Sequence, residues 1–139
     1  MARWRAEALA GLPGLRKAIE SADSVMALWI DLWLAFEDAY RCDPPDEPVI
    51  AGIYAFADWC AGAPRNPDAG HDPLTAVVVA FYEHVPTCEP ARADMPRWFR
   101  YADLASNPHV FGRLIDSRTY AALLRDVAAK ERRSRRRAK

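Results

Sequence analysis

From Leu15 onward the apolar positions fall at 15, 19, 22, 26, 29, 33, 36 and 40, in alternating steps of four and three. That is the 3.6-residue period of a helix. Val25, Leu28, Ile30 and Leu32 widen the stripe. The pattern therefore predicts a central helix over 22–41, buried on several sides, with a fresh start near Ser21-Ala22-Asp23-Ser24. Ahead of it, residues 2–10 predict a short helix carrying Trp4, Ala8 and Leu9. Gly11-Leu12-Pro13-Gly14 stops that helix, because proline lacks a donor and glycine is permissive.

Downstream the period continues in shorter segments. Cys42-Asp43-Pro44-Pro45-Asp46 predicts a loop, and 47–61 a helix with Val49, Ile50, Ile53, Phe56, Ala57 and Cys60 inward. Residues 62–70 are rich in Gly, Pro, Asn and Asp and predict a surface loop. Asp72-Pro73 opens a helix to about residue 85, since Asp caps free amides and Pro suits the first helical position. Val77-Val78-Val79 would suit a strand, but the cap and the 74/78/81/82/85 spacing favour helix. Pro86 ends it and 86–93 reads as loop. A helix over 94–105 then turns Trp98, Phe99 and Ala102 inward. Asn107-Pro108 starts a short helix with Val110, Phe111 and Leu114. Asp116 or Ser117 caps a last one, with Tyr120, Leu123, Leu124 and Val127 as its apolar face. The fold class predicted is all-α, an irregular bundle of about six or seven short helices around one long central helix. A single domain is expected over 1–129, followed by a basic tail at 130–139 expected to be disordered.

Two segments 25 residues apart echo one another: EPVIAGIYAFAD from Glu47 and DPLTAVVVAFYE from Asp72. Both open with acid-Pro and close with Ala-Phe-x-acid. The echo predicts two helices started by the same device, with Ala51/Ala55 and Ala76/Ala80 as small-residue faces for close helix approach. No third copy follows, so a solenoid is not expected.

Apolar residues make up 51% of the chain, and five tryptophans supply bulk for a packed interior. The three cysteines have no C-x-x-C spacing, which argues against a disulfide framework and for a reducing, cytoplasmic setting. No apolar run approaches the roughly 20 residues of a membrane span. Sixteen Arg against three Lys, with abundant Ala and Pro, suits a GC-rich bacterial gene. The formal net charge of zero hides an asymmetry. Residues 130–139 hold seven basic residues against one acidic, and residues 1–129 hold twelve against eighteen.

Asp58 and Glu83 occupy matching places in the echo and are candidates for an acid/base pair or a cation site. His84 follows Glu83, and Cys88 lies four residues on, but Pro86 breaks the helical register a zinc pair would need. No second ligand pair stands at metal-binding spacing, and no cofactor motif, nucleophile elbow or phosphate loop is present. Trp59, Arg97 and Trp98 are candidates for an interaction patch, because aromatic and Arg residues are enriched at binding hot spots. Lys130, Arg132, Arg133, Arg135, Arg136, Arg137 and Lys139 are candidates for phosphate contact, although no aromatic is interleaved among them for base stacking.

These features point to a non-enzymatic protein-interaction module, an adaptor or immunity-type inhibitor whose acidic body masks a basic partner. The alternative is a nucleic-acid-associated accessory protein using the Arg-rich tail, and a third reading is an enzyme built on Asp58, Glu83 and His84. No cofactor and no membrane are expected.

Overall fold

Ser24 stands where the long apolar stripe restarts, and its Oγ accepts the Ala27 amide at 3.1 Å. That cap divides the stripe into two helices. In the computed structural model, which describes residues 1–138, α1 (Arg3–Gly11) leads through a tight turn to α2 (Arg16–Ser21) and α3 (Val25–Arg41). The chain then forms α4 (Glu47–Gly62) and α5 (Pro73–Val77). It continues through α6 (Glu89–Trp98), α7 (Tyr101–Ala105), α8 (Pro108–Phe111) and α9 (Ser117–Ala138). The protein is all-α: nine α-helices and no strand occur among the described residues. Its contacts group into two compact units, Met1–Phe81 and Tyr82–Lys139.

In the first unit α3 packs against α4 and α5, and α1 against α4. Trp29 of α3 is fully buried. Phe56 of α4 stacks on it at 5.3 Å and Phe81 at 4.9 Å. These two are the echoed phenylalanines, so the echo's shared function is to close on one indole. Such ring pairs add about 0.5–1.5 kcal/mol each beyond the area they bury. Arg5 donates from Nε to the Ile19 carbonyl at 3.3 Å, and from Nη2 to that of Ala22, occupying carbonyls that the end of α2 leaves open.

Several expectations need correction here. The two echoed helices do not start alike. α4 is capped by Asp46, whose Oδ1 accepts the Val49 amide at 3.4 Å, while Asp72 makes no such cap bond to the amides of α5. Ala51 and Ala55 are exposed and form no such face, whereas Ala76 is fully buried. In α4 the close approach is at Gly52, where a Cβ would stand 2.6 Å from Leu12 Cδ2 and 2.8 Å from the Gly11 carbonyl oxygen. The helix expected to reach residue 85 is α-helical only to Val77 and continues as a π-turn over Val78–Tyr82. The central helix is buried on several sides, as its wide stripe implies, but Ile30, counted in that stripe, is exposed together with Leu34.

In the second unit α9 packs against α6 and α7. Tyr82, Phe99 and Phe111 form a ring cluster with centroids 5.2–6.0 Å apart. Met95, Leu104, Leu123 and Val127 are buried. The segment 86–93 is not all loop, because α6 begins at Glu89. Glu89-Pro90 is the same acid-Pro pair as Glu47-Pro48, a start signal obscured by its Pro- and Arg-rich surroundings. Helix 94–105 is two helices, broken by extended backbone at Phe99 and Arg100. The tail segment expected from residue 130 is, up to Ala138, the continuation of α9. Its Ala, Arg, Lys and Glu are good helix formers, and cations at a helix C-terminus suit the dipole.

Candidate functional site

Asp58, on α4, is exposed in the first unit. Glu83 and His84 lie in the second. The Glu83 carboxylate, 14% exposed, faces Arg113 Nε at 3.5 Å. The His84 carbonyl accepts the amide and hydroxyl of Thr87 in a tight turn. No group of three or more His, Cys, Asp or Glu side chains suited to a metal occurs among the described residues. Cys60 is buried, and burial pushes its thiol up to about 12, partly offset by the Trp29 side chain. It is a core side chain, as its place on the inner face of the helix implies. Trp59 is half-buried, its ring parallel to that of Phe56 at 6.0 Å.

The most strongly perturbed carboxylate was not singled out by sequence reasoning as chemistry. Asp72 is 1% exposed. It accepts Arg65 Nη2 at 2.9 Å and Arg65 Nε at 3.0 Å, the Asn66 amide at 3.0 Å and Thr75 Oγ1 at 2.7 Å. The Arg65 guanidinium first, then Thr75 and the Asn66 amide, hold its carboxyl well below the usual range. Both its oxygens are occupied by donors from the chain. What it does is lock the 63–72 loop onto α5.

Two surfaces remain. The first is the outer side of α3, where Ile30 is 57% and Leu34 56% exposed, one turn apart. Asp31 and Asp38 flank them in the open, with Trp33 and Glu37 half-buried alongside. The unit that carries this face holds six basic against twelve acidic residues, and the residues from 82 onward hold thirteen against seven. The acidity assigned by sequence to residues 1–129 thus resides in residues 1–81.

The second surface is an open groove of about 500 Å³ in the second unit. Pro96, Arg97, Trp98, Phe99 and Arg100 line one wall, and Lys130, Glu131, Ser134 and Arg135 of α9 the other. The Arg97 guanidinium carbon lies 4.7 Å from the Trp98 ring centre, and Asp94 Oδ2 accepts Arg97 Nη2 at 2.9 Å. Glu131 Oε1 accepts the Tyr101 amide at 2.8 Å, which joins the start of α7 to α9. A neighbouring groove of about 650 Å³ shares Glu131 and Arg135 and adds Tyr101, Arg125 and Arg132. The structure thus brings Arg97 and Trp98 together with Lys130 and Arg135, two sets that sequence reasoning kept apart. Arg133, Arg136 and Arg137 lie exposed on α9 outside both linings, and Lys139 lies outside the described residues.

Fold and surfaces together define an all-α protein with an acidic first unit and a basic, grooved second unit. No protein-family model matches the chain, and neither a curated protein nor a solved structure matches it. No helix among the described residues is long and apolar enough to cross a membrane.

Proposed function

We propose that this chain is a non-enzymatic protein-interaction module whose first unit takes a basic partner, in the manner of an adaptor or an immunity-type inhibitor. One observation carries the reading: the exposed Ile30–Leu34 pair sits among carboxylates on the unit with twelve acidic and six basic residues. An apolar centre with a charged rim is the general anatomy of a binding surface. The rim charge speeds and directs encounter, while the apolar centre holds the partner. A basic amphipathic helix, presenting apolar residues one turn apart and Lys or Arg beside them, has the complementary chemistry. The free cysteines suit a bacterial cytoplasm as the setting.

The test compares wild type with Ile30→Glu/Leu34→Glu in capture from a bacterial lysate, at low and high salt. The double variant changes exposed positions and leaves the core intact. A basic protein retained by wild type, weakened by salt and lost with the double variant is the expected result. A partner retained equally by both proteins would refute this surface.

A further inference from the structure

Arg-rich helices are common surface features and by themselves say little about a ligand. What distinguishes the end of α9 is what lies beside it. The segment 97–101 supplies Arg97, Trp98, Arg100 and Tyr101 along the same grooves that Lys130, Arg132 and Arg135 line from α9. Cations and aromatic rings therefore lie together along two adjoining grooves that share Arg135 and Glu131, the latter engaged by the Tyr101 amide. The sequence of the basic segment lacks an aromatic, and tertiary structure provides two.

We infer that these two grooves form a binding track for single-stranded nucleic acid, with phosphates along the α9 cations and bases stacked against Arg97–Trp98 and Tyr101. The Arg97 guanidinium already lies over the Trp98 indole at 4.7 Å. Unpaired bases stack on aromatic rings and on guanidinium planes alike, so an incoming base extends this stack or replaces its outer member. Tyr101 is 40% exposed, and Glu131 fixes the backbone that carries it. The carboxylates beside Arg100 and Arg97 are Asp103 and Asp94, and Asp94 Oδ2 accepts Trp98 Nε1 at 3.4 Å as well as Arg97 Nη2 at 2.9 Å. Asp94 pairs with Arg97 and Asp103 with Arg100 at 3.6 Å, with both arginines substantially exposed. Such surface pairs contribute little and exchange readily for a phosphate.

Three alternatives account for less of this arrangement. An acidic peptide would satisfy the cations but leaves the stacked rings without a role. A duplex presents its phosphates but hides its base faces. A mononucleotide would use one groove where two adjoin.

The test uses the full chain and fluorescence anisotropy with a short labelled oligothymidylate, the matching duplex and polyglutamate as competitor. Four phosphates neutralised on a single strand give a log–log salt slope of about −3, a loss of roughly fifty-fold between about 50 and 200 mM salt. Arg97→Ala removes the exposed member of the stack and is expected to weaken binding at least about five-fold. Arg132→Ala/Arg135→Ala, which removes two of the α9 cations, is expected to reduce the slope by about 1.4. Circular dichroism confirms that these surface variants stay folded. No binding at about 50 mM salt overturns the inference, as does equal affinity for the duplex. Equal competition by polyglutamate overturns it in favour of an acidic protein ligand. Binding unchanged in Arg97→Ala/Arg100→Ala but lost on replacing Arg135, Arg136 and Arg137 reduces the site to a charged helix end.

Discussion

Asp72 shows how one side chain can set the course of a loop. It was legible in the sequence as a helix start, from the Asp-Pro pair, and it does stand at the N-terminus of α5. Its partners were not legible, because Arg65 and Asn66 precede it in a segment whose composition says only that it turns. Asp72→Asn leaves Arg65 without its counter-charge and turns an amide NH2 donor toward groups that themselves donate, so it is expected to lower Tm by roughly 5 °C at pH 7. The folded-state pKa is lowered, so the carboxylate stabilises fully above its unfolded value near 4 and loses that contribution as pH falls below it. The Tm gap between wild type and Asp72→Asn is therefore expected to narrow from pH 7 to pH 3. Melts followed by circular dichroism check both points, and a gap that widens in acid would contradict the ion-pair account.

The helices were read correctly where caps and period agree. Ser24 and Asp116 both cap as their positions imply: the Thr119 amide reaches Asp116 Oδ1 at 2.7 Å and holds that carboxyl below the usual range. They were misread where proline carries two meanings. Pro96 falls near the start of the helix expected over 94–105 and instead lies inside the last turn of α6, while Pro90, in the segment expected to be loop, marks the true start. Helix–helix distance was misread as well, because an exposed alanine and a buried one look alike in sequence. The two glycines of α4 separate these effects. Gly52→Ala must displace Leu12 and the Gly11 carbonyl, and is expected to cost about 1–3 kcal/mol despite alanine's better propensity. Gly62→Ala meets nothing within 4 Å and is expected to be neutral or stabilising by up to about 1 kcal/mol. Denaturant midpoints of the two variants are expected to move in opposite directions, or the second not at all.

For the whole molecule the decisive quantity is the distribution of charge between units. Six basic and twelve acidic residues in 1–81 balance thirteen and seven in 82–139, giving a formal charge of zero. A protein with no net charge and two oppositely charged regions has little to keep copies apart, and much to draw them together at low ionic strength. Light scattering at pH 7 is expected to show self-association in roughly 10 mM salt that disperses by roughly 300 mM, where the Debye length falls to several ångströms. Association that grows with salt would point instead to the apolar Ile30–Leu34 face as the contact.

The sequence by itself determined the all-α class, most helix starts and the identity of the core aromatics, because period and capping are local properties of neighbouring residues. It also located the basic segment, though as a tail, since runs of arginine say nothing about what lies alongside. Tertiary structure alone decided that Phe56 and Phe81 close on Trp29, that Ile30 and Leu34 face outward, and that Trp98 and Tyr101 line grooves with Arg135. Those facts depend on which helix faces meet, and contacts between residues distant in the chain leave no periodic trace in it.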